Sequence, residues 1–153
     1  MSVIATTKQP RASRGFSLIE ALVALVVLSV GLIGLAGLQM GSIQNNHSAL
    51  LRSQAVIKAY EAMDRMRANR TEALNGTYDR NLGDSVSPQT CYAPCNGTQL
   101  AQSDVREWIS SVQSLPAGDG AIDVDGGIAT VTISWDDTRG AQAPQVFELS
   151  TML

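Results

Sequence analysis

A single carboxylate lies inside the most apolar segment of this chain. Between Phe16 and Leu51, the only ionisable side chains are those of Glu20 and the normally neutral His47. The segment Ala21–Leu38 is long and apolar enough to span a membrane as a helix. Because a carboxylate in hydrocarbon costs about 3 kcal/mol, Glu20 is a candidate functional residue that needs a cationic partner.

Hydrolysis of the peptide bond between Gly15 and Phe16 would create such a cation. The new α-amino group of Phe16 would have a reference pKa of about 8, so it would be mostly protonated at neutral pH. It could pair with Glu20 of the same helix or of a neighbouring subunit. A secretory signal is the alternative interpretation, and it fits poorly because the apolar region of such a signal is only about 7 to 15 residues long.

The residues around this bond carry a family resemblance. The site that prepilin peptidase cuts in type IV pilins resembles the run Gly15-Phe16-Ser17-Leu18-Ile19-Glu20. The resemblance implies cleavage on the cytoplasmic side, N-methylation of Phe16 and a role for Glu20 in assembly. It also implies four parts: a cleaved basic leader (1–15), a transmembrane and filament-core half of a spine helix (16–40), an amphipathic half of that helix (41–75) and a globular head (76–153). The leader is somewhat longer than is usual in the family.

Four glycines fall within the predicted membrane helix: Gly31, Gly34, Gly37 and Gly41. At about 100° per residue the last three share one face, and Gly37 and Gly41 have the spacing that lets two helices pack closely. Each glycine also destabilises a helix by about 1 kcal/mol relative to alanine, so this segment is a candidate for bending or melting on assembly. Many major pilins have a proline here, whereas this chain has none between Phe16 and Pro88, so Gly37 is the candidate substitute. The alternative is that the glycines are simply tolerated in a membrane helix.

Hydropathy patterns predict one continuous helix from Phe16 to Leu74, followed by a small α+β head. Apolar residues recur at helical spacing beyond the membrane segment and indicate an amphipathic helix that ends at Asn75-Gly76: Leu51, Ala55, Ala59, Ala62, Met66 and Ala73. A second helix is predicted around Trp108, with Thr98 as its N-cap and Pro116 as its stop. Alternating residues on both sides of Gly126-Gly127 predict a β-hairpin, and residues 145–153 predict a last strand. These elements predict an α+β fold with the spine helix packed on an antiparallel sheet, and the resemblance implies that this is the type IV pilin fold.

Cys91 and Cys95 are the only two cysteines of the chain. By the predicted topology both lie outside the membrane, where oxidation is favoured, and their spacing allows a small disulfide loop. A redox role is the weaker interpretation, because the pair is not a CxxC motif and no βαβ pattern surrounds it. Two cysteines and the distant His47 do not complete a zinc site, so no metal ion is expected.

Two charged groups suggest ligand binding but match its patterns poorly. Five aspartates in the predicted sheet region lack the first and last ligand positions of an EF-hand calcium loop: Asp119, Asp123, Asp125, Asp136 and Asp137. The arginines between Ala62 and Arg70 have no aromatic neighbours that could stack on bases, so a solvated helix face with acidic partners is expected. After cleavage eight of the eleven basic side chains remain against fourteen acidic ones, which argues against nucleic acid as a partner. Neither a nucleophile elbow nor a phosphate-binding loop is recognisable, so no catalytic residue, cofactor or enzymatic activity is expected.

The resemblance extends beyond the leader to one group of minor pilins. Minor pilins of the PilV type, the type IV pilus modification proteins, are similar to this chain over Val23–Gln39, Asp64–Arg70, Trp108, Leu115–Gly118 and Val131–Asp137. This similarity implies a low-abundance subunit that joins other minor pilins at the filament tip, helps to start assembly and helps to export or present an adhesin. It implies no catalytic function.

The resemblance also implies partners and a location. The partners are prepilin peptidase, other minor pilins, the major pilin, a tip adhesin and inner-membrane lipid. The protein is expected in the inner membrane as a single-pass protein with its head in the periplasm, and later in the pilus at the cell surface, where pili serve adhesion and motility. The alternative is a minor pseudopilin of a type II secretion system, which shares the leader, Glu20 and the spine helix. A membrane-anchored protein of unknown activity is a more distant alternative.

Overall fold

The computed structural model describes residues 15–88, 90–92, 94–138 and 140–153. Within them, three helices precede three strands: α1 (Leu18–Ala68), α2 (Arg70–Leu74), α3 (Gly97–Val112), β1 (Asp119–Asp125), β2 (Ile128–Trp135) and β3 (Gln145–Met152). The strands form an antiparallel sheet in the order β1-β2-β3. The predicted fold class is confirmed: a long N-terminal helix with a small antiparallel sheet, consistent with the type IV pilin α+β fold. The predicted leader lies outside the described residues except for Gly15.

The chain divides into two compact units, Met1–Ile43 and Gln44–Leu153. In the first unit, helix α1 passes Gly31, Gly34, Gly37 and Gly41 without a break. A Cβ atom at any of these four positions would meet nothing within 4 Å. No contact among the described residues therefore requires glycine there, and close packing against other helices, or melting on assembly, stays a prediction.

The second unit has one hydrophobic core built from the helices and the sheet. The predicted apolar stripe is buried, with each of its members at most 5% exposed: Leu51, Ala55, Ala59, Ala62, Met66 and Ala73. Trp108 of α3 is 1% exposed and donates its Nε1–H to the carbonyl oxygen of Lys58 at 2.8 Å. Alternate residues of β2 complete the core from the sheet: Ala129, Val131, Ile133 and Trp135. The predictions for the stripe and for Trp108 are confirmed.

The spine is not one continuous helix to Leu74. Helix α1 ends at Ala68, Asn69 has non-helical backbone angles (φ −123°, ψ 50°), and α2 begins at Arg70. The side chain of Asn69 donates through Nδ2 to the carbonyl oxygen of Gly97, at the start of α3, at 2.8 Å. The prediction of an unbroken helix was wrong at this residue, and this long-range hydrogen bond holds the side chain where the break occurs. The predicted end at Asn75 is confirmed, because Asn75 is the C-cap of α2.

Helix α3 begins earlier than its sequence pattern predicts. Asn96 is the N-cap: its side chain accepts from the backbone N–H of Gln99 at 2.8 Å, and the Gln99 side chain accepts from the backbone N–H of Asn96 at 3.1 Å. This reciprocal capping box satisfies two N–H groups, which a cap at Thr98 would leave unpaired. Thr98 was therefore the wrong cap, and its hydroxyl instead donates to Glu72 at 3.2 Å. At the other end α3 stops at Val112, before Pro116.

The predicted hairpin is confirmed. Gly126 and Gly127 have φ values of 57° and 84°, and they connect the paired residues Asp125 and Ile128. Two consecutive positive φ angles are what a two-residue turn between twisted strands requires, and glycine adopts them without a steric penalty. The predicted last strand is present as β3.

The outer edge of β1 is covered by the segment that contains Arg80. The backbone N–H of Arg80 donates to the carbonyl oxygen of Ile122 at 2.9 Å, and its carbonyl oxygen accepts from the Ile122 N–H at 3.0 Å. The Arg80 side chain is 6% exposed, and it donates to the carboxylate of Asp119 at 3.2 Å, to the carbonyl oxygen of Asp84 at 2.8 Å and to that of Gly120. Since a buried guanidinium is stable only with such partners, Arg80 is the main polar contact between this segment and the sheet.

Replacing Gly120 with alanine is expected to destabilise the second unit by about 1 to 3 kcal/mol. A Cβ atom at Gly120 would lie 2.5 Å from Cη2 of Trp108, a rigid ring that is 1% exposed and has little room to move. Thermal unfolding of the full-length protein in detergent, followed by tryptophan fluorescence, measures the loss.

Two further variants show whether the Trp108 ring is the cause. In a Trp108→Phe background, where the clashing part of the ring is missing, Gly120→Ala should cost much less. Gly31→Ala, which meets open space, should leave the transition unchanged. An equal cost of Gly120→Ala in both backgrounds would contradict the proposed clash.

Candidate processing and assembly site

The bond between Gly15 and Phe16 lies just before helix α1. The helical hydrogen-bond ladder starts at Ser17, whose carbonyl oxygen accepts from the backbone N–H of Ala21 at 3.1 Å. Gly15 and Phe16 are outside the helix, and Phe16 is 76% exposed. A Cβ atom at Gly15 would meet nothing within 4 Å. The bond is therefore accessible in the structure and is not held in a helix that a peptidase would have to unwind.

Glu20 lies in the first turn of α1 and is exposed. At this end of a helix the free N–H groups and the aligned peptide dipoles favour a negative charge. A cationic α-amino group at Phe16 would add to that attraction, since Phe16 precedes Glu20 by one helical turn. The sequence-predicted processing residues therefore lie together at one helix end, and the pairing of amine and carboxylate stays a prediction.

The first half of α1 presents apolar side chains on all sides. Among the described residues, α1 is the one helix that is long and apolar enough to cross a membrane by length and composition. None of its most apolar stretch is buried within the chain, and large side chains such as Leu18, Ile33 and Leu38 are more than 70% exposed. A surface of this kind needs lipid or other apolar helices around it.

Arg65 connects the amphipathic part of α1 to α3 through ion pairs. Its guanidinium contacts Glu61 at 2.9 Å, Asp104 at 2.9 Å and Glu107 at 3.1 Å. Partial burial alone would lower the pKa of Arg65, but the hydrogen bonds that its guanidinium donates to Glu107, Glu61 and Asp104 raise the pKa above its ordinary value. Asp104 also accepts from the hydroxyl of Tyr78 at 2.7 Å, and burial together with this bond raises the pKa of that hydroxyl.

The other two arginines of this segment contact the end of the sheet. Arg67 pairs with Asp64 at 3.3 Å and donates to the hydroxyl of Thr151 at 3.4 Å. Arg70 donates to the carbonyl oxygen of Leu153 at 3.1 Å. These arginines are engaged within the chain, as expected for a helix face with local acidic partners.

The structure joins Cys91 and Cys95 in a disulfide, with Cα atoms 5.9 Å apart. The backbone N–H of Cys91 donates to the hydroxyl of Ser103 in α3 at 3.2 Å, which fastens the loop to the head. Tyr92, inside the loop, is 89% exposed. Two other positions of this region, 89 and 93, lie outside the described residues.

Three of the five predicted acidic side chains make structural contacts. Asp119 pairs with Arg80, Asp137 accepts from the hydroxyl of Ser48 at 2.7 Å, and Asp136 accepts from the backbone N–H of Thr138 at 2.8 Å. In the part of the chain that the structure describes, no group of three or more histidine, cysteine or acidic side chains could hold a metal ion.

Several structural residues could not be recognised from the sequence. Asn69, Arg80 and Asp104 act through partners 28 or 39 residues away in the chain. A single sequence contains no signal for such partners. The capping box at Asn96 did have a sequence signal, since an Asn followed three residues later by Gln is a helix-start pattern.

Comparison with known protein families supports the interpretation of the N-terminus. Residues 10–36 match the family model described as the prokaryotic N-terminal methylation motif. The match covers the Gly15–Phe16 bond, Glu20 and the first part of α1. No curated protein and no solved structure gives a significant match to the chain. This motif is typical of type IV pilin-like and pseudopilin proteins, and it implies processing by prepilin peptidase.

Proposed function

We propose that this chain is a minor pilin that helps to initiate type IV pilus assembly. The observation that carries the proposal is the match of residues 10–36 to the methylation motif, at the start of an exposed apolar helix. In this proposal prepilin peptidase removes residues 1–15, and Phe16 becomes the N-methylated first residue. The protein has no enzymatic activity and acts by assembling with other subunits.

The proposed division of labour follows the chain. Residues 16–40 anchor the precursor in the inner membrane and later enter the filament core, and residues 41–75 connect them to the head at 76–153 in the periplasm. The exposed apolar surface of the first segment supports this division, because lipid and neighbouring pilin helices can both cover it. Four glycines are the proposed positions for close helix packing or local melting, because a Cβ atom at each would meet nothing within 4 Å: Gly31, Gly34, Gly37 and Gly41.

The tip role is the finer part of the proposal. It rests on the similarity of several segments to minor pilins of the PilV type, and it implies other minor pilins, the major pilin and an adhesin as partners. A minor pseudopilin of a type II secretion system is the second candidate, because the methylation motif is equally compatible with it. The two candidates differ in location. A tip subunit should be present in a small number of copies in surface pili, whereas a pseudopilin stays in the cell envelope.

Mass spectrometry of the intact protein and of its N-terminal peptide tests the proposal. We expect membranes and sheared pili to contain a chain that begins with N-methylated Phe16, in trace amounts in the pili. A mature chain that is present in membranes and absent from pili would support the pseudopilin instead. A chain that begins at Met1, or beyond the apolar segment, would overturn the assignment of the cleavage site.

Replacing Glu20 with alanine is expected to leave membrane insertion intact and to reduce recovery in sheared pili roughly tenfold or more. The methylated amine of Phe16 would lose its counterion in a low-dielectric filament core, and an uncompensated buried charge costs several kcal/mol. Quantitative peptide mass spectrometry of membranes and pili measures both effects. Ser29→Ala is the matched control, because the Ser29 hydroxyl bonds within its own helix, to the carbonyl oxygen of Leu25 at 2.7 Å. Normal recovery of the Glu20 variant would exclude the pairing.

A further inference from the structure

The two edges of the sheet differ in how their backbone groups are paired. At the β1 edge, Ile122 exchanges two hydrogen bonds with Arg80, and the N–H of Val124 donates to the carboxylate of Asp79 at 3.1 Å. The carbonyl oxygen of Gly120 accepts from the Arg80 guanidinium. The β1 edge is therefore closed to further strands.

The pairing register shows which groups point outward from β3. The N–H of Leu153 donates to the carbonyl oxygen of Gly127 at 3.0 Å, and Met152 pairs with Ile128. In an antiparallel ladder the N–H and C=O of one residue point to the same neighbour, and the direction alternates along the strand. Odd-numbered residues of β3 therefore bond to β2, and the N–H and C=O groups of four residues point to the open edge: Val146, Glu148, Ser150 and Met152.

These outward groups are open in the described part of the chain, where no backbone or side-chain group bonds to them. Natural proteins protect such an edge with charged side chains, above all lysine, with proline, with a bulge or by keeping the strand short. β3 has eight residues, pairs with β2 without a bulge, contains neither lysine nor proline, and has one charged residue, Glu148. An edge of this length with a single charge is a template for one more strand.

The chemistry of the sheet indicates what kind of strand would bind. Across its three strands the sheet has four acidic side chains and no basic one: Asp119, Asp123, Asp125 and Glu148. Of these, Asp119 is paired with Arg80, and Glu148 is the one charged residue of β3. Beside Glu148 on the same face, Val146 is 61% exposed and Met152 is 76% exposed. A complementary strand would present basic and apolar side chains on this face.

We propose that β3 binds an extended, basic segment of another protein as the fourth strand of the sheet. A second copy of this chain fits less well. A second β3 strand would bring its own Glu148 and no basic side chain, so it lacks the complementary charge that an added strand needs here.

Hydrogen exchange on the full-length protein in detergent tests the open edge. In the free protein, the amides of Val146, Glu148, Ser150 and Met152 should exchange quickly, while those of Phe147, Leu149 and Thr151 should be protected by β2. The probe is a short synthetic peptide that alternates valine with lysine and threonine. Adding this peptide should slow exchange of the outward amides, those of Val146, Glu148, Ser150 and Met152. Unchanged exchange of these amides would overturn the proposal. Protection of these amides in the free protein would also overturn it, because the edge would then be already paired.

Methylated probes show whether binding uses backbone hydrogen bonds. In an extended peptide, successive N–H groups point to opposite sides. We therefore compare two probes: one is N-methylated at the odd positions and the other at the even positions. The probe methylated on the side facing β3 should lose binding, and the other should keep it. Equal binding of both would exclude strand addition.

Variants of the protein test the charge preference. Glu148→Lys should weaken binding of the lysine probe about fivefold and strengthen binding of a matched probe with glutamate in place of lysine. The same charge change at Asp123, on β1 and beyond the screening distance, should change the affinity less than about twofold. Equal effects of the two variants would show attraction to the net charge of the head and would overturn docking at β3. None of these measurements depends on cleavage at Gly15, so their failure leaves the proposed pilin role unaffected.

Discussion

Replacing Gly15 with leucine is expected to leave the chain uncut in the inner membrane, with no mature form in pili. The structure gives this variant a clear interpretation, because a Cβ atom at Gly15 would meet nothing within 4 Å. The substitution therefore disturbs no contact of the described chain. A loss of processing would then show that the peptidase requires a residue without a side chain at this position. Intact-mass measurement of the membrane-extracted protein distinguishes precursor from mature chain.

Two matched variants sharpen this experiment. Gly15→Ala adds the smallest side chain and should be cut more slowly than the native chain, at an intermediate rate. Gly34→Leu makes the same large change within α1, also in open space, and should leave cleavage unchanged. A normal mature N-terminus in the Gly15→Leu variant would refute the cleavage assignment.

Replacing Arg80 with methionine is expected to destabilise the second unit by about 3 kcal/mol. Methionine keeps much of the apolar stem, but the carbonyl oxygens of Gly120 and Asp84 lose the guanidinium donor. The Asp119 carboxylate loses its cationic partner and keeps only its hydrogen bonds from backbone N–H groups. The segment around Arg80, which covers the outer edge of β1, loses its side-chain hydrogen bonds to the sheet at the same time. Tryptophan fluorescence during thermal unfolding should show a midpoint lower by roughly 10 °C or more.

Two controls separate the buried arginine from a general loss of positive charge. Arg106→Met removes an exposed arginine that donates, within the described part of the chain, to the carbonyl oxygen of Pro88 at 2.8 Å, and should cost less than about 0.5 kcal/mol. Adding Asp119→Asn to the Arg80 variant should recover part of the loss, since no uncompensated charge then remains. Equal stability of the Arg80 and Arg106 variants would contradict the role of Arg80.

The same ion pair makes stability depend on pH. Burial would raise the pKa of Asp119, but backbone N–H groups of Gly83 and Gly120 and the guanidinium of Arg80 lower it below its ordinary value. A depressed pKa means that the stabilisation is fully present above the unfolded-state pKa of about 3.9 and is lost as the pH falls through the folded-state value. The Arg80→Met variant should lose less stability than the native chain over that acidic range.

Local patterns in the sequence determined much of the fold. The apolar run after Phe16, the helical spacing from Leu51 to Ala73, the alternation in the hairpin and its glycine turn each depend on neighbours within a few residues. Such signals act through the helical period of 3.6 residues, the strand period of 2 and the positive φ angles that glycine tolerates, so one chain is enough to interpret them. The candidate processing site belongs to this class, because Gly15, Phe16 and Glu20 lie within one short segment.

Only the tertiary structure decided the features that depend on distant partners. The break at Asn69 accompanies a bond to Gly97, the α1 to α3 contact depends on Arg65 meeting Asp104, and the closed β1 edge depends on Arg80 reaching Ile122. The open edge of β3 is likewise defined by the strand order. A buried polar group must find its partner wherever the fold places it, and that position follows from the packing of the whole second unit. Local propensity carries no information about it.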